Sequence, residues 1–114
     1  MSSTASASPE KHLPLTPAVF AILLALVDGE KHGYAIMQEA RQHTTMGPGT
    51  LYGSIDRLLA SGLVRETGIS EDERRRYYAL TALGKRVIMA ETQRLERAIQ
   101  LARRKGIKAS EAKA

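Results

Sequence analysis

The first strong pattern in the chain is the stretch 18–27, in which no polar residue interrupts the apolar ones. Thr16 is a favourable helix N-cap and Pro17 suits a first helical turn, so a helix is predicted to begin there. A helix that is apolar nearly all round must be buried on more than one side. A chain of 114 residues has little interior, so part of this surface is expected to meet a second subunit. The candidate interface residues on this helix are Phe20, Leu23 and Leu24.

A turn is predicted at 28–31, where Gly29 follows the apolar stretch. A second helix then opens at His32-Gly33-Tyr34 and is predicted to reach about His43. Residues 44–46 lead into the next element.

Residues 47–62 are predicted to form one amphipathic helix. Its apolar face is formed by Leu51, Ile55, Leu58 and Leu59. Its other face carries Gly49, Thr50, Gly53, Asp56 and Arg57. Pro48 suits the first turn and Gly62 the position after the last turn. A helix with an apolar back and a small, polar front can enter a DNA major groove, so we interpret it as a recognition helix.

After this helix the pattern predicts two short strands joined by a polar, acidic loop at 68–73. The first strand covers 63–67 and the return strand covers 75–80. Alternation places Arg76, Tyr78 and Leu80 on one face of the return strand, with Leu80 and Tyr78 expected to point inward.

A last helix is predicted from Ala82 to about Arg104, with Thr81 as its N-cap. Its apolar stripe consists of Leu83, Val87, Leu95, Ala98, Ile99 and Ala102. The small hairpin cannot cover a stripe of this length, so the helix is expected to be a dimer arm. The candidate interface residues on this helix are Val87, Leu95 and Ile99.

These elements predict a mainly α fold with a small β-hairpin, arranged as a winged helix-turn-helix. The expected parts are a three-helix core, a two-stranded wing and a long C-terminal dimerisation helix. We divide the chain into a disordered tail at 1–12, a DNA-binding domain at 13–81, the dimerisation helix at 82–104 and a frayed tail at 105–114.

The charge of the chain supports an anionic partner. It carries 17 Lys and Arg against 12 Asp and Glu, a formal net charge of +5. The basic residues cluster at 74–76, 85–86 and 94–108, which suits phosphate backbones or anionic membrane surfaces. The longest apolar run is too short to span a bilayer, and the N-terminus lacks the pattern of a signal peptide. We therefore expect a soluble cytoplasmic protein that binds nucleic acid and not a membrane.

The sequence argues against catalysis. It contains no cysteine, which excludes disulfides, thiol chemistry and cysteine zinc sites. The three histidines show no metal-ligand spacing, and no nucleotide-binding or nucleophile motif is present. We expect no enzyme activity, no cofactor and no metal.

Three sequence blocks resemble the PadR family of winged helix-turn-helix transcriptional regulators. They are His32-Gly33-Tyr34-Ala35-Ile36, then Gly49-Thr50-Leu51-Tyr52 with Arg57-Leu58 and Gly62-Leu63-Val64, and last Arg76-Tyr77-Tyr78-Ala79-Leu80-Thr81 with Gly84. The length resembles the short subfamily with a single C-terminal helix. The resemblance implies a homodimeric repressor that binds a double-stranded DNA operator and releases it in response to an effector, such as a small molecule.

Ten residues are candidates for DNA contact. They are Lys31, His32, Tyr34, Thr50, Tyr52, Gly53, Arg57, Arg74, Arg75 and Arg76. Hydroxyls and guanidinium groups at these positions suit phosphate oxygens and base edges, and the start of the second helix suits a phosphate.

Each candidate also has a structural alternative. Thr50 could cap its own helix, and Tyr52 could pack against the wing. His32 could hold the start of the second helix by donating a hydrogen bond to backbone. Gly53 could be a glycine without a role. Arg57 could pair with Asp56 or Glu66 at the surface. The three wing arginines could be neutralised by the carboxylates at 71–73.

Two further hypotheses stay open. A winged helix can serve as a protein-interaction module without DNA binding, and the acidic loop would suit that use. A ligand-sensing pocket could also lie at the dimer interface, provided that the first and last helices leave apolar space between them.

Overall fold

Four α-helices and a three-stranded antiparallel sheet make up the computed structural model, which describes residues 8–69 and 76–108. The helices are α1 (Pro17–Ala25), α2 (Gly33–Ala40), α3 (Pro48–Ala60) and α4 (Ala82–Arg104), and the strands are β1 (Lys31–His32), β2 (Val64–Ile69) and β3 (Arg76–Leu80). The predicted winged helix-turn-helix fold is confirmed.

Helix α1 lies in the centre of the helical core. The Thr16 hydroxyl accepts a hydrogen bond from the Val19 N–H at 3.1 Å, so the predicted N-cap is present. The helix buries Ala21, Ile22, Leu23 and Ala25 within the single chain. Leu23 is 0% exposed, so it cannot make the intersubunit contact predicted for it in this packing. Phe20 and Leu24 are half-buried, and each keeps part of its surface at the outside of the chain.

A third strand joins the predicted hairpin. Lys31 and His32, which were predicted as part of a turn and a helix start, pair with Tyr78 and Tyr77 of the return strand. Strand β3 is therefore central, with β1 and β2 on either side. A two-residue strand is defined only by backbone pairing with a distant segment, which a hydrophobic pattern cannot register. Helix α2 also ends earlier than predicted, at Ala40.

The pairing of β2 with β3 builds the base of the wing. Val64 lies opposite Leu80, and the register shifts between Glu66 and Gly68. Tyr78 and Leu80 are buried, as the alternation predicts. The loop at 70–75 lies outside the described residues.

Thr81 ties the end of α3 to the start of α4. Its hydroxyl donates to the Gly62 carbonyl at 2.6 Å and accepts from the Gly84 N–H at 3.0 Å. Gly62 has a φ of +80°, a conformation that favours glycine at a helix end. At Gly84, an added Cβ would lie 2.1 Å from the carbonyl oxygen of Leu63, so the helix can approach this closely only with glycine.

The first half of α4 packs on the core and holds the N-terminal segment. The Glu91 carboxylate is buried, accepts from the Leu15 N–H at 3.0 Å and accepts from both Nε and Nη2 of Arg94 at 2.6 and 3.0 Å. These bonds from Arg94 hold the pKa of the Glu91 carboxyl below its ordinary value. A 3-10 turn at Pro9–His12 packs against the same helix, so these four residues have regular structure although they were predicted as part of a disordered tail at 1–12.

The second half of α4 leaves its apolar stripe open. Leu95 and Ala102 are half-buried, and Ile99 is 50% exposed. Val87, in the first half, is 0% exposed, so it belongs to the core of the single chain and cannot form the intersubunit contact predicted for it. The exposed part of the stripe begins only after Glu91.

Candidate nucleic-acid interface

Helix α3 presents the front that the sequence predicts. Leu51, Ile55 and Leu58 are buried on its back, while Thr50 is exposed at its first turn. Gly47 is the N-cap residue, and no side chain caps this helix. Thr50 therefore does not act as a local cap, and its hydroxyl lies at the surface.

Tyr52 lies across the start of α2. The position of a Cβ on Gly33 would be 2.6 Å from the Tyr52 Oη and 2.9 Å from its Cε1. The ring therefore occupies the space that a side chain on Gly33 would need, so glycine at this position leaves room for the phenol. Although its hydroxyl packs here, the residue as a whole is 46% exposed. Gly33 lies within the block His32-Gly33-Tyr34-Ala35-Ile36, but nothing in the sequence indicates its contact with Tyr52.

The three candidates at the start of α2 have different environments. Lys31 Nζ donates to the Ala25 carbonyl at 2.6 Å and also forms an ion pair with Asp28, so its charge is engaged within the chain. The Tyr34 side chain, by contrast, lies outside, and the residue is 56% exposed. Its Oη accepts from Gln38 Nε2 at 2.6 Å and keeps its own O–H for another partner.

His32 has the structural role that was the alternative for it. Its Nδ1 accepts from the Ala35 N–H at 3.3 Å, and its ring meets Tyr77 edge-on at a centroid distance of 5.6 Å. The imidazole thus accepts the backbone bond, where a donated bond was expected. It caps α2 and joins this helix to the central strand of the sheet.

Arg57 is exposed near the end of α3. Its Nη2 lies 3.4 Å from Ser54 Oγ, and it has no carboxylate partner among residues 8–69 and 76–108. The predicted alternative, an ion pair with Asp56 or Glu66, is therefore not formed. Glu66 instead faces Arg76.

Gly53 lies one turn before Arg57 on the same face. A Cβ at this position would meet only Arg57 Nη1, at 3.9 Å. Close packing inside the described chain therefore does not explain this glycine, and its surface is open to an external molecule.

The wing contributes one described candidate. Arg76 has a largely exposed side chain, and its Nη1 lies 3.8 Å from Glu66 Oε1. Arg74 and Arg75, together with the carboxylates at 71–73, lie outside the described residues. Tyr78 is buried at the base of the wing. Burial raises the pKa of its phenol, and the negative charge of Glu66 raises this pKa further by a smaller amount.

An apolar cleft separates α1 from α4 on another side of the molecule. It has a volume of about 360 Å³ and is lined by Leu24, Val27, Ile88, Met89, Thr92 and Gln93. A single chain therefore contains apolar space between its first and last helices.

Two other kinds of site are absent from the described ranges. No helix there combines the length and hydrophobicity that a membrane span requires. No group of three His, Cys, Asp or Glu side chains there is arranged to hold a metal ion.

Residues 22–90 match the Transcriptional regulator PadR-like family. The transcriptional regulator Rv3488 of Mycobacterium tuberculosis is 37% identical over 77 residues, which are 66% of this chain and 72% of that protein. A 37.1 kDa protein of transposon TN4556 from Streptomyces fradiae is 39% identical over 82 residues, 70% of this chain. The match spans only 23% of the length of that transposon protein.

The fold is also that of solved regulators. The crystal structure of a PadR family transcription regulator from Clostridium difficile superposes with a TM-score of 0.69 at 22% identity, over 78% of this chain and 97% of that one. The chain thus belongs to the PadR-like family of transcriptional regulators.

Proposed function

We propose that this PadR-like regulator binds double-stranded DNA as a homodimer and represses transcription from a roughly palindromic operator. The observation that carries the proposal is the front of α3, where Thr50 and Arg57 are exposed and Arg57 has no described carboxylate partner. In the dimer, two copies of α3 enter successive major grooves, one helical turn apart.

Contacts to phosphates complete the proposed interface. The hydroxyls of Tyr34 and Tyr52 flank the start of α2, and Arg76 lies at the base of the wing. Groups of this kind hold a protein in register on the duplex, while base edges supply the specificity. Lys31 is engaged within the chain, and His32 caps α2, so neither has a direct part in this proposal.

The second half of α4 supports the homodimer. Ile99 is half-exposed on a stripe that continues the buried face of the same helix, and Leu95 and Ala102 lie on that stripe. Since the described chain leaves this stripe open, we propose that the same surface of a second copy covers it. The cleft between α1 and α4 lies beside that surface and is a candidate site for an apolar effector.

Selecting bound sequences from random DNA would give the operator, its symmetry and its half-site spacing together. Fluorescence anisotropy on that operator should then show affinity that falls steeply with salt, because phosphate contacts release counterions. Affinity that does not change with salt would contradict the proposal.

Arg57→Gln tests the role of α3 directly. If Arg57 contacts a base, we expect a loss of roughly tenfold or more on the selected operator and relaxed selection at one position. Arg97→Gln is the matched control, because Arg97 is exposed on α4 and its substitution removes the same charge. Equal losses in the two variants would mean that net charge, and not α3, determines the affinity.

The same measurements distinguish a DNA-binding regulator from a protein-interaction module that does not bind DNA. A purified chain that selects no DNA sequence, yet forms a stable complex with a protein partner that Arg76→Ala disrupts, would favour a module without DNA binding.

A further inference from the structure

The exposed front of α3 has a carboxylate at its centre. Asp56 follows Gly49 by seven residues and Gly53 by three, and Ala60 follows Asp56 by four, so the four positions form one line along the helix. Gly49, Gly53 and Asp56 each precede a buried residue of the back by two positions, which is about 200° around an α-helix. Asp56 therefore lies directly opposite the face that packs on the core.

The positions around Asp56 carry little or no side chain. A Cβ on Gly49 would meet nothing within 4 Å, and one on Gly53 would meet only Arg57 Nη1 at 3.9 Å. Ala60 is exposed and adds a single methyl group. Such small neighbours allow the backbone of α3 to approach another molecule closely. A side chain as short as that of aspartate can then reach the floor of a groove.

Asp56 has no partner in the part of the chain that the structure describes. The residue is exposed, and across residues 8–69 and 76–108 its carboxylate forms neither an ion pair nor a hydrogen bond. The neighbouring Arg57 donates to Ser54 Oγ instead. Both carboxylate oxygens are thus acceptors that an external donor can use.

The chemistry of a carboxylate restricts what it can contact on DNA. An ionised carboxylate accepts hydrogen bonds and donates none, so it cannot bind a phosphate, whose negative charge also repels it. In the major groove only cytosine N4 and adenine N6 carry donor hydrogens, whereas guanine and thymine present acceptors. Adenine N6 lies between two acceptors, N7 of the same base and O4 of the paired thymine, while cytosine N4 has an acceptor on one side only. Cytosine is therefore the base that repels a carboxylate least.

We propose that Asp56 selects a cytosine in each half-site of the operator, an inference that rests on the proposed function. The carboxylate accepts a hydrogen bond from the N4 amine, and the acceptors of guanine and thymine exclude those bases at the same position. Each subunit of the homodimer contributes one Asp56, so the cytosine occurs once in each half-site. Arg57, at the edge of the same front, supplies attraction to DNA, whereas Asp56 supplies discrimination between bases through repulsion.

Selection from random double-stranded DNA by wild type and by Asp56→Asn tests this assignment. Asparagine keeps the shape of the side chain, carries no charge and pairs with N6 and N7 of adenine. Wild type should fix one cytosine in each half-site, and the variant should prefer adenine there while the rest of the motif stays the same. The same motif from both proteins would overturn the assignment of Asp56 and leave the proposed function intact. A wild type that selects no motif would contradict the proposed function and this inference together.

Fluorescence anisotropy on the selected operator measures the size of the effect. Replacing the cytosine by thymine in both half-sites should weaken wild-type binding about a hundredfold, or about tenfold for each half-site. Asp56→Ala should lose less than about threefold on the same replacement, because it lacks the group that distinguishes the two bases. Each protein is compared with itself on two operators, so its net charge does not enter the result. Equal losses in wild type and Asp56→Ala would overturn the assignment.

Glu96→Gln is the matched control for the loss of a negative charge, because Glu96 is exposed on α4. Removing either carboxylate should raise the affinity for any DNA, but only the Asp56 variants should change the selected base. The same change of base in Glu96→Gln would overturn the assignment. If Asp56→Asn does not fold by circular dichroism, Asp56→Ala replaces it in the selection, where it should lose the preference for cytosine. A preference for cytosine that persists in Asp56→Ala would equally contradict the role of this carboxylate.

Discussion

The two halves of α4 carry the same apolar periodicity but have opposite environments. In the first half, Gly84, Val87, Ile88 and Glu91 are buried against the rest of the chain. In the second half no residue is fully buried, and Ile99 is among the exposed apolar side chains. One helix thus belongs to the core along half its length and extends beyond the core along the other half.

This difference shows what an apolar stripe does and does not specify. The stripe requires that one face be covered, because exposed apolar surface is unfavourable. It does not specify whether the cover comes from the same chain or from another. Substitutions in the first half should therefore change the stability of the single chain, while those in the second half should change association.

Gly84→Ala should have the largest effect on the free energy of unfolding. The new Cβ would lie 2.1 Å from the Leu63 carbonyl oxygen, and backbone on both sides must move to admit it. We expect a loss of about 3 kcal/mol, in the upper range for overpacking, from urea denaturation followed by circular dichroism.

Gly53→Ala is the matched control for this prediction. Its Cβ would meet only Arg57 Nη1 at 3.9 Å, an ordinary contact. Alanine in a helix interior is more favourable than glycine, so a gain of roughly 0.5–1 kcal/mol is expected. Similar losses in both variants would mean that the approach of α4 to Leu63 is not as close as the structure has it.

Glu91→Gln should have the next largest effect. The amide keeps the shape of the side chain but loses the charge that accepts from Arg94 and from the Leu15 N–H. We expect a loss of about 2 kcal/mol, since hydrogen bonds to charged groups typically contribute this much. Glu96→Gln, at an exposed site on the same helix, should change stability by less than about 0.5 kcal/mol. A Glu91→Gln variant as stable as Glu96→Gln would contradict the assigned role of the buried carboxylate.

The pH dependence of stability should identify the same carboxylate. Hydrogen bonds from Arg94 lower the pKa of Glu91 in the folded chain below its unfolded value. The stabilisation is therefore complete above the unfolded value, about 4.3 for glutamate, and is lost as the pH falls through the lower folded value. Urea denaturation between about pH 6 and pH 3 should show a smaller acid loss in Glu91→Gln than in wild type. Identical profiles would assign the acid loss to other carboxylates.

Ile99→Glu should have the smallest effect on the single chain and a large effect on association. Its side chain makes few contacts within the chain, so the free energy of unfolding of the monomer should change by less than about 0.5 kcal/mol. Sedimentation velocity over a range of concentrations should show loss of the proposed dimer. Gln100→Glu introduces a similar charge one residue further along an exposed part of the helix and should leave the dimer intact. Equal dissociation in both variants would point to net charge and not to the stripe.

Local signals explain why most helix boundaries could be predicted. Thr16 and Thr81 cap their helices by accepting from N–H groups three residues further on, and Gly62 ends α3 through its own dihedral angle. Their positions therefore indicate where α1, α3 and α4 begin or end. Strand β1 could not be predicted in this way, because it consists only of pairing with Tyr77 and Tyr78, which lie far along the chain.

The candidate site was predictable to a similar extent. The exposed positions of Thr50 and Arg57 follow from helical periodicity, and they stand where that periodicity places them. The contacts of Lys31 do not follow from helical periodicity. Its partners are the Ala25 carbonyl at the end of α1 and the Asp28 carboxylate in the turn. Leu23 and Val87 show the same limit, because the pattern indicates burial without indicating what covers the side chain.

The short strand β1 has a mechanical consequence for the wing. It clamps β3 at Tyr77 and Tyr78 on one edge, while β2 holds the other edge over the same residues. Strand β3 is therefore paired on both edges at the base of the wing. The pairing of β1 therefore connects the base of the wing, through His32, to the first turn of α2, on which Tyr52 packs.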